Sequence, residues 1–232
     1  MSNFDYENFP EGEWDDRGDL VWNEFDWERY IRSQDDSLKR YQELYAKLKG
    51  ENDRLDRIAQ QMGWDIEDWT GSDGDNEDDI QEFIESAEID DDNDLYDEPY
   101  TLQRHPVYIS SKALYIWLQS RLIELCCRHR AVPAGLATQF QATLHMGENN
   151  CMAGIHALDM GDYALAVCFF KRMAADLNRS LRFLDLLARA CPVETNLYRG
   201  EASLRLFDLR DIALRVMQYS REELDRGPGE DD

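Results

Sequence analysis

The stretch from Ala137 to Gly161 reads ATQFQATLHMGENNCMAGIHALDMG, and Asp162 to Cys191 continues it as DYALAVCFFKRMAADLNRSLRFLDLLARAC. In the first half, Ala137, Phe140, Leu144, Gly147, Cys151, Gly154, Leu158 and Gly161 follow one another at alternating steps of three and four. In the second, Ala166, Phe170, Met173, Leu177, Ser180, Leu184, Leu187 and Cys191 do the same. A stripe with that alternation is the a/d seam of a heptad helix, and two such stripes facing each other form an antiparallel hairpin. Gly161-Asp162 stops the first helix and caps the second.

The flanking sequence extends the hairpin to a bundle. Leu114, Trp117, Leu118, Leu122 and Leu125 mark a helix over about 107–130, and Pro133 opens the next, over about 133–160. A third spans about 163–190. Cys191-Pro192 breaks it, and a fourth runs over about 193–221 towards Gly227-Pro228. Long helices on short connections pack as antiparallel neighbours. The expected fold is all-α, with an antiparallel up-down-up-down four-helix bundle over 105–221.

Gly147, Gly154 and Gly161 recur every seventh residue. A mid-helix glycine costs up to about 1 kcal/mol against alanine, so the interior pair calls for a reason. Close approach by a bulky partner such as Phe169 or Phe170 is one, and a cavity for a bundle-core ligand is the alternative. The outer side of the same helix carries Ala142, His145, Met146, Asn149, Met152, Ala153, His156 and Met160, with only Glu148 and Asp159 ionised over 133–160. A helix so poor in charge calls for a cover on both sides.

Upstream of the bundle the composition changes. Residues 1–104 hold 33 acidic and 10 basic side chains, whereas residues 105–221 hold 10 acidic and 14 basic. The overall charge of −24 thus belongs to the front half and to the acidic tail over 222–232. Five of the six tryptophans, among them Trp22, Trp27 and Trp64, lie in the first 69 residues. Free tails are poor in aromatics, so 1–69 reads as an acidic helical region. Its helices are expected over 22–33 and 37–49, with Asp35 or Asp36 capping the second, and a third is expected after Asp53. Short aromatic helices need a surface, and the Met/Ala back of the 133–160 helix needs a cover, so the two are expected to meet. Residues 70–104 read as an acidic linker with one short helix near 78–88. EF-hand spacing fails there, because counting from Asp73 places Asp78 at position six and Ile84 at position twelve.

Motifs for chemistry are lacking. A di-metal bundle site needs Glu-x-x-His pairs facing inward, and this chain has the reverse, His145-x-x-Glu148, on the outer side. His145, His156 and Glu148 remain the weak metal candidates, and no cofactor is expected. Asp208 and Asp211 sit among Arg205, Arg210 and Arg215, and Glu194 and Glu201 near Arg199, which suggests intrahelical ion pairs. The run Gly154, Gly161-Asp162-Tyr163, Ala166, Phe170, Met173 resembles the middle of a tetratricopeptide unit over about 20 residues. No second copy follows 34 residues on, where Thr195 replaces the turn glycine, so the run is read as a generic helix hairpin.

The composition sets the functional expectation. So acidic a chain is repelled by nucleic-acid backbones and anionic membranes. Its acids sit in a linker rather than at duplex-like intervals, which also disfavours nucleic-acid mimicry. The start, MSNFDYE, has neither the basic residues nor the apolar run of a targeting peptide, and no segment is apolar enough to span a bilayer. Five cysteines without a Cys-x-x-Cys pair read as small buried thiols of a cytoplasmic protein. The expectation is a non-enzymatic interaction or scaffold protein, partnered by another protein or by itself. Its basic face is Arg172, Arg179, Arg182 and Arg189, and its aromatic anchors are Trp22, Trp27 and Trp64. A bundle-core ligand- or metal-binding protein or enzyme is the alternative.

Overall fold

The computed structural model describes residues 23–64 and 101–226. They form six α-helices: α1 (Glu24–Leu48), α2 (Arg54–Met62), α3 (Pro106–Arg128), α4 (Ala134–Asp159), α5 (Tyr163–Ala190) and α6 (Pro192–Arg226). A single 3-10 turn, Leu102–Arg104, leads into α3. Helices α3 to α6 pack in sequential order, and α3 closes the ring against α6, giving the up-down four-helix bundle. Helix α1 lies against α3, and α2 folds back on α1.

Both heptad stripes are buried, from Ala137 to Leu158 on α4 and from Ala166 to Cys191 beyond α5, and only the turn glycine Gly161 at the end of the first is exposed. The connection between them follows the chemistry of its residues. Gly161 takes φ +71°, which only glycine adopts without strain. Its amide donates to the Leu158 carbonyl at 2.8 Å, the Asp162 amide donates to Ala157 at 2.8 Å, and the Asp162 carboxylate accepts from the Leu165 amide at 2.9 Å. One helix is closed and the next opened within two residues.

The front region departs from expectation. The two helices expected over 22–33 and 37–49 are replaced, among the described residues, by one helix of 25 residues, Glu24–Leu48. It starts at Asn23, whose side chain accepts from the Phe25 and Asp26 amides while Asp26 accepts from the Asn23 amide. Asp35 and Asp36 cap nothing; they stand exposed on the outer side of a continuous helix. Asp53 precedes α2 without a side-chain capping bond, and Gly63 at φ +78° ends that helix. Helix α6 runs to Arg226, so residues 222–226, expected as tail, are helical. The expected helix near 78–88, Trp22 and the tail after Arg226 lie outside the described residues.

The front helices also choose a different bed. They settle over α3 and α6, while on α4 His145, Met146, His156 and Met160 stay exposed. Among the described residues neither front helix shields those four side chains from solvent. Cys151 and Cys191 are the buried thiols expected, but Cys127 and Cys168 are exposed, and all five are free.

Candidate interaction surfaces

The glycines of α4 are explained by what fills the space beside them. A Cβ at Gly154 would stand 2.7 Å from the Phe170 ring, and one at Gly147 would stand 2.6 Å from the Tyr115 hydroxyl. Both side chains are fully buried. The room that the missing side chains leave is therefore occupied by Tyr115 and Phe170, not held open for a core ligand. Cys151 on the same seam is inert: burial pushes its thiol up to about 12.

The docking of α1 and α2 is built on buried charge. Asp208 of α6, 4% exposed, accepts from the Tyr45 hydroxyl and from two nitrogens of Arg54, with Nε at 2.8 Å. Burial, then the neighbouring Asp208 charge, pushes the Tyr45 phenol well up, so it stays a neutral donor. Beside it Arg205, also 4% exposed, lies with its guanidinium carbon 3.5 Å from the Trp117 ring centroid and 4.7 Å from that of Tyr45. Arg205 donates to Glu201 at 2.7 Å, and Lys49 of α1 meets the same carboxylate. At the edge, Arg215 binds Asp56 of α2 and Asp211. Asp208 was expected to pair within its own helix. Its partners instead lie 163 and 154 residues away, in the front region. Arg199 likewise reaches Asp185 of α5 at 2.8 Å rather than a glutamate of α6. Glu201–Arg205 and Asp211–Arg215 do pair along the helix.

Below this anchor, α1, α3 and α6 leave a groove of about 440 Å³. Trp117, stacked on Tyr198 with rings 6.1 Å apart and 5° from parallel, lines it together with Leu125 and Leu197. Its rim is mixed in sign: Arg121 and Arg128 hold Glu124, and Lys49 holds Glu201.

The predicted basic residues do share one exposed side of α5. Arg179 pairs with the buried Asp176 at 2.8 Å and Arg172 lies over the Phe169 ring. Arg182 and Arg189 have no acidic partner among the described residues. Trp64 stacks on Tyr41 at 6.1 Å, inside the docked layer, and half-exposed Trp27 meets Tyr30 edge-on. Trp27 and Trp64 therefore do not lie with the arginines. The weak metal candidates do not gather: His145 Nδ1 is 3.8 Å from Glu148, whose carboxylate is held by Lys112 at 2.6 Å and Gln119 at 2.7 Å. His156 is exposed, and among the described residues no three His, Cys, Asp or Glu side chains converge on a common point. No helix among them is long and apolar enough to cross a membrane.

The surfaces therefore define a helical bundle with a docked two-helix layer, an arginine-rich side and a mixed-charge groove. No protein-family model matches the chain, and no curated protein and no solved structure matches it.

Proposed function

We propose that this chain is a non-enzymatic helical interaction protein whose α5 arginine face receives an acidic polypeptide segment. The observation that carries the reading is the contrast in charge. Residues 65–100 contain 17 acidic side chains and no lysine or arginine. Arg172, Arg179, Arg182 and Arg189 line one exposed side of α5, and all but Arg179 lack an acidic partner among the described residues. Arginine makes planar, bidentate pairs with carboxylates, which suits such a face to a fixed ionic contact. Opposite potentials steer association, and the exposed Trp27 adds an aromatic anchor at the front of α1. The reaction medium is taken to be the cytoplasm, where the five thiols stay free.

The test is binding of a labelled peptide of residues 70–98 to the full-length protein, by fluorescence anisotropy at rising salt. Saturable binding that weakens with salt and falls at least about tenfold in Arg182→Glu/Arg189→Glu supports the reading. Equal binding by the variant overturns it. If the acidic segment already occupies the face within its own chain, the added peptide binds only after residues 70–98 are replaced by a neutral Gly/Ser stretch. Absence of binding to that version as well also overturns the reading.

A further inference from the structure

Helix α6 carries a second heptad stripe on its outer side, with Leu197 at the edge of the groove and Leu204 partly buried against the core. Val193, Leu197, Leu204, Phe207 and Leu214 follow it at steps of four and three, with Gly200 and Asp211 at the two remaining positions. Val193 and Leu197 are each 86% exposed, Phe207 51% and Leu214 49%. A helix facing only water on this side has no use for such a row.

Gly200 adds an independent clue. Gly147 and Gly154 make room for Tyr115 and Phe170, but a Cβ at Gly200 would meet nothing within 4 Å. The glycine weakens α6 by about 1 kcal/mol against alanine, and nothing inside the chain uses the space.

We infer that this stripe is a seam between two copies of the chain, with the α6 helices antiparallel about a two-fold axis. In an antiparallel seam, a positions face d positions. Setting Leu204 opposite Phe207 of the second copy brings Leu197 opposite Leu214, and two-fold symmetry repeats each contact. The same register sets Gly200 against Asp211, which leaves space for the Asp211–Arg215 pair of the other copy. It also brings Glu194 beside Arg215 across the seam. Glu194 has no ionic partner among the described residues, and the Arg215 side chain, already paired with Asp56 and Asp211 of its own chain, remains 38% exposed on its outer edge. The stripe is thus complementary to itself in both size and charge. A parallel alignment would set Asp211 against Asp211 and lose the Glu194–Arg215 contact. The inference is independent of the α5 face, since it uses none of its residues.

Sedimentation velocity of the full-length protein across micromolar concentrations tests it. A monomer–dimer equilibrium is expected, weakened at least about tenfold by Phe207→Glu with helix content unchanged. Gly200→Leu separates this from a general loss of fold: it is expected to raise the melting temperature of the monomer while weakening the dimer. The register is read by oxidation in a Cys127→Ser/Cys168→Ser background. Leu197→Cys/Leu214→Cys is expected to give covalent dimer, and the out-of-register pair Val193→Cys/Leu197→Cys is not. A protein monomeric throughout, a dimer indifferent to Phe207→Glu, or equal cross-linking of both pairs overturns the inference.

Discussion

The α4–α5 seam and the docked α1–α2 layer solve the same problem, burying one helix against another, in opposite ways. The seam is mostly apolar and fits by shape, with Phe170 seated against Gly154, and its one buried carboxylate, Asp176, is held at the side by Asn150 of α4 and Arg179 of α5. The layer is fixed by a buried carboxylate, Asp208, shared between Tyr45 and Arg54. Shape-fitted contacts fade gradually as they are trimmed. A buried charge whose partner is removed fails abruptly, because it cannot return to water without opening the structure. The layer is therefore the more switchable of the two, and the seam the more permanent.

The largest effect is expected at Asp208. Asp208→Ala leaves the Arg54 guanidinium and the Tyr45 hydroxyl without their acceptor, at a cost of about 3–5 kcal/mol. The expected result is selective. Amide hydrogen exchange accelerates throughout α1 and α2, while α4 and α5 keep their protection. Uniform acceleration of all six helices would erase the distinction between layer and seam.

Gly154→Ala probes the other side of the comparison. Alanine favours the helix by about 1 kcal/mol, but its methyl meets the buried Phe170 ring, and overpacking of this kind costs about 1–3 kcal/mol. A net loss of about 1 kcal/mol is expected in the urea midpoint, with α1 and α2 exchange unaffected. Gly154→Ala/Phe170→Leu should recover part of that loss, since leucine vacates the space the methyl enters. A double variant less stable than the sum of the single ones would contradict the packing account.

The two regions were also unequally legible in the sequence. The seam announces itself because its information is local: heptad spacing on α4 and α5, and Gly161-Asp162 between them. The layer's information is spread over more than 150 residues. Asp208 next to Arg205, Arg210 and Arg215 suggests local pairs, and the local spacing does not show that it is buried beside Arg205, Leu209 and Ile212 with its partners elsewhere. The sequence suggests two helices in place of α1 because Asp35 and Asp36 offer a cap between its apolar runs. Tyr30, Tyr41, Tyr45 and Leu48 nevertheless stay in phase on one buried side, and Asp35 and Asp36 face water. The arginines of α5 were found from i+7 spacing alone. The bed of the front helices was misplaced because a charge-poor surface on α4 looked more in need of cover than the α3–α6 groove, whose buried Arg205 and Asp208 disguise it.

A third effect is expected at the point where the chain enters the bundle, and it turns on pH. His105 caps α3 by accepting from the Val107 amide through Nδ1 at 3.1 Å. Burial holds its pKa down to about 4, against an ordinary value near 6.5, and the Asp159 charge only partly offsets this. The folded ring is therefore neutral where the unfolded one is charged. Between about pH 4 and 6.5 the unfolded state binds more protons, so stability rises with pH, is complete above 6.5 and is lost as pH falls through that window. Protonation of Nδ1 also removes the acceptor that caps the helix. The expected change is on the order of 1–3 kcal/mol. His105→Asn keeps a capping side chain without the titration. Comparing urea midpoints of the two proteins from pH 7.5 to 4.5 isolates the effect from the carboxylates that titrate in both. The curves should run parallel above pH 6.5, and below it the native protein should fall faster. If both fall together, His105 is not held neutral and the entrance to the bundle contributes nothing to its acid response. If only the native protein falls, and exchange rises first at the start of α3, the bundle has a weak end of its own that neither the apolar seam nor the ionic layer protects.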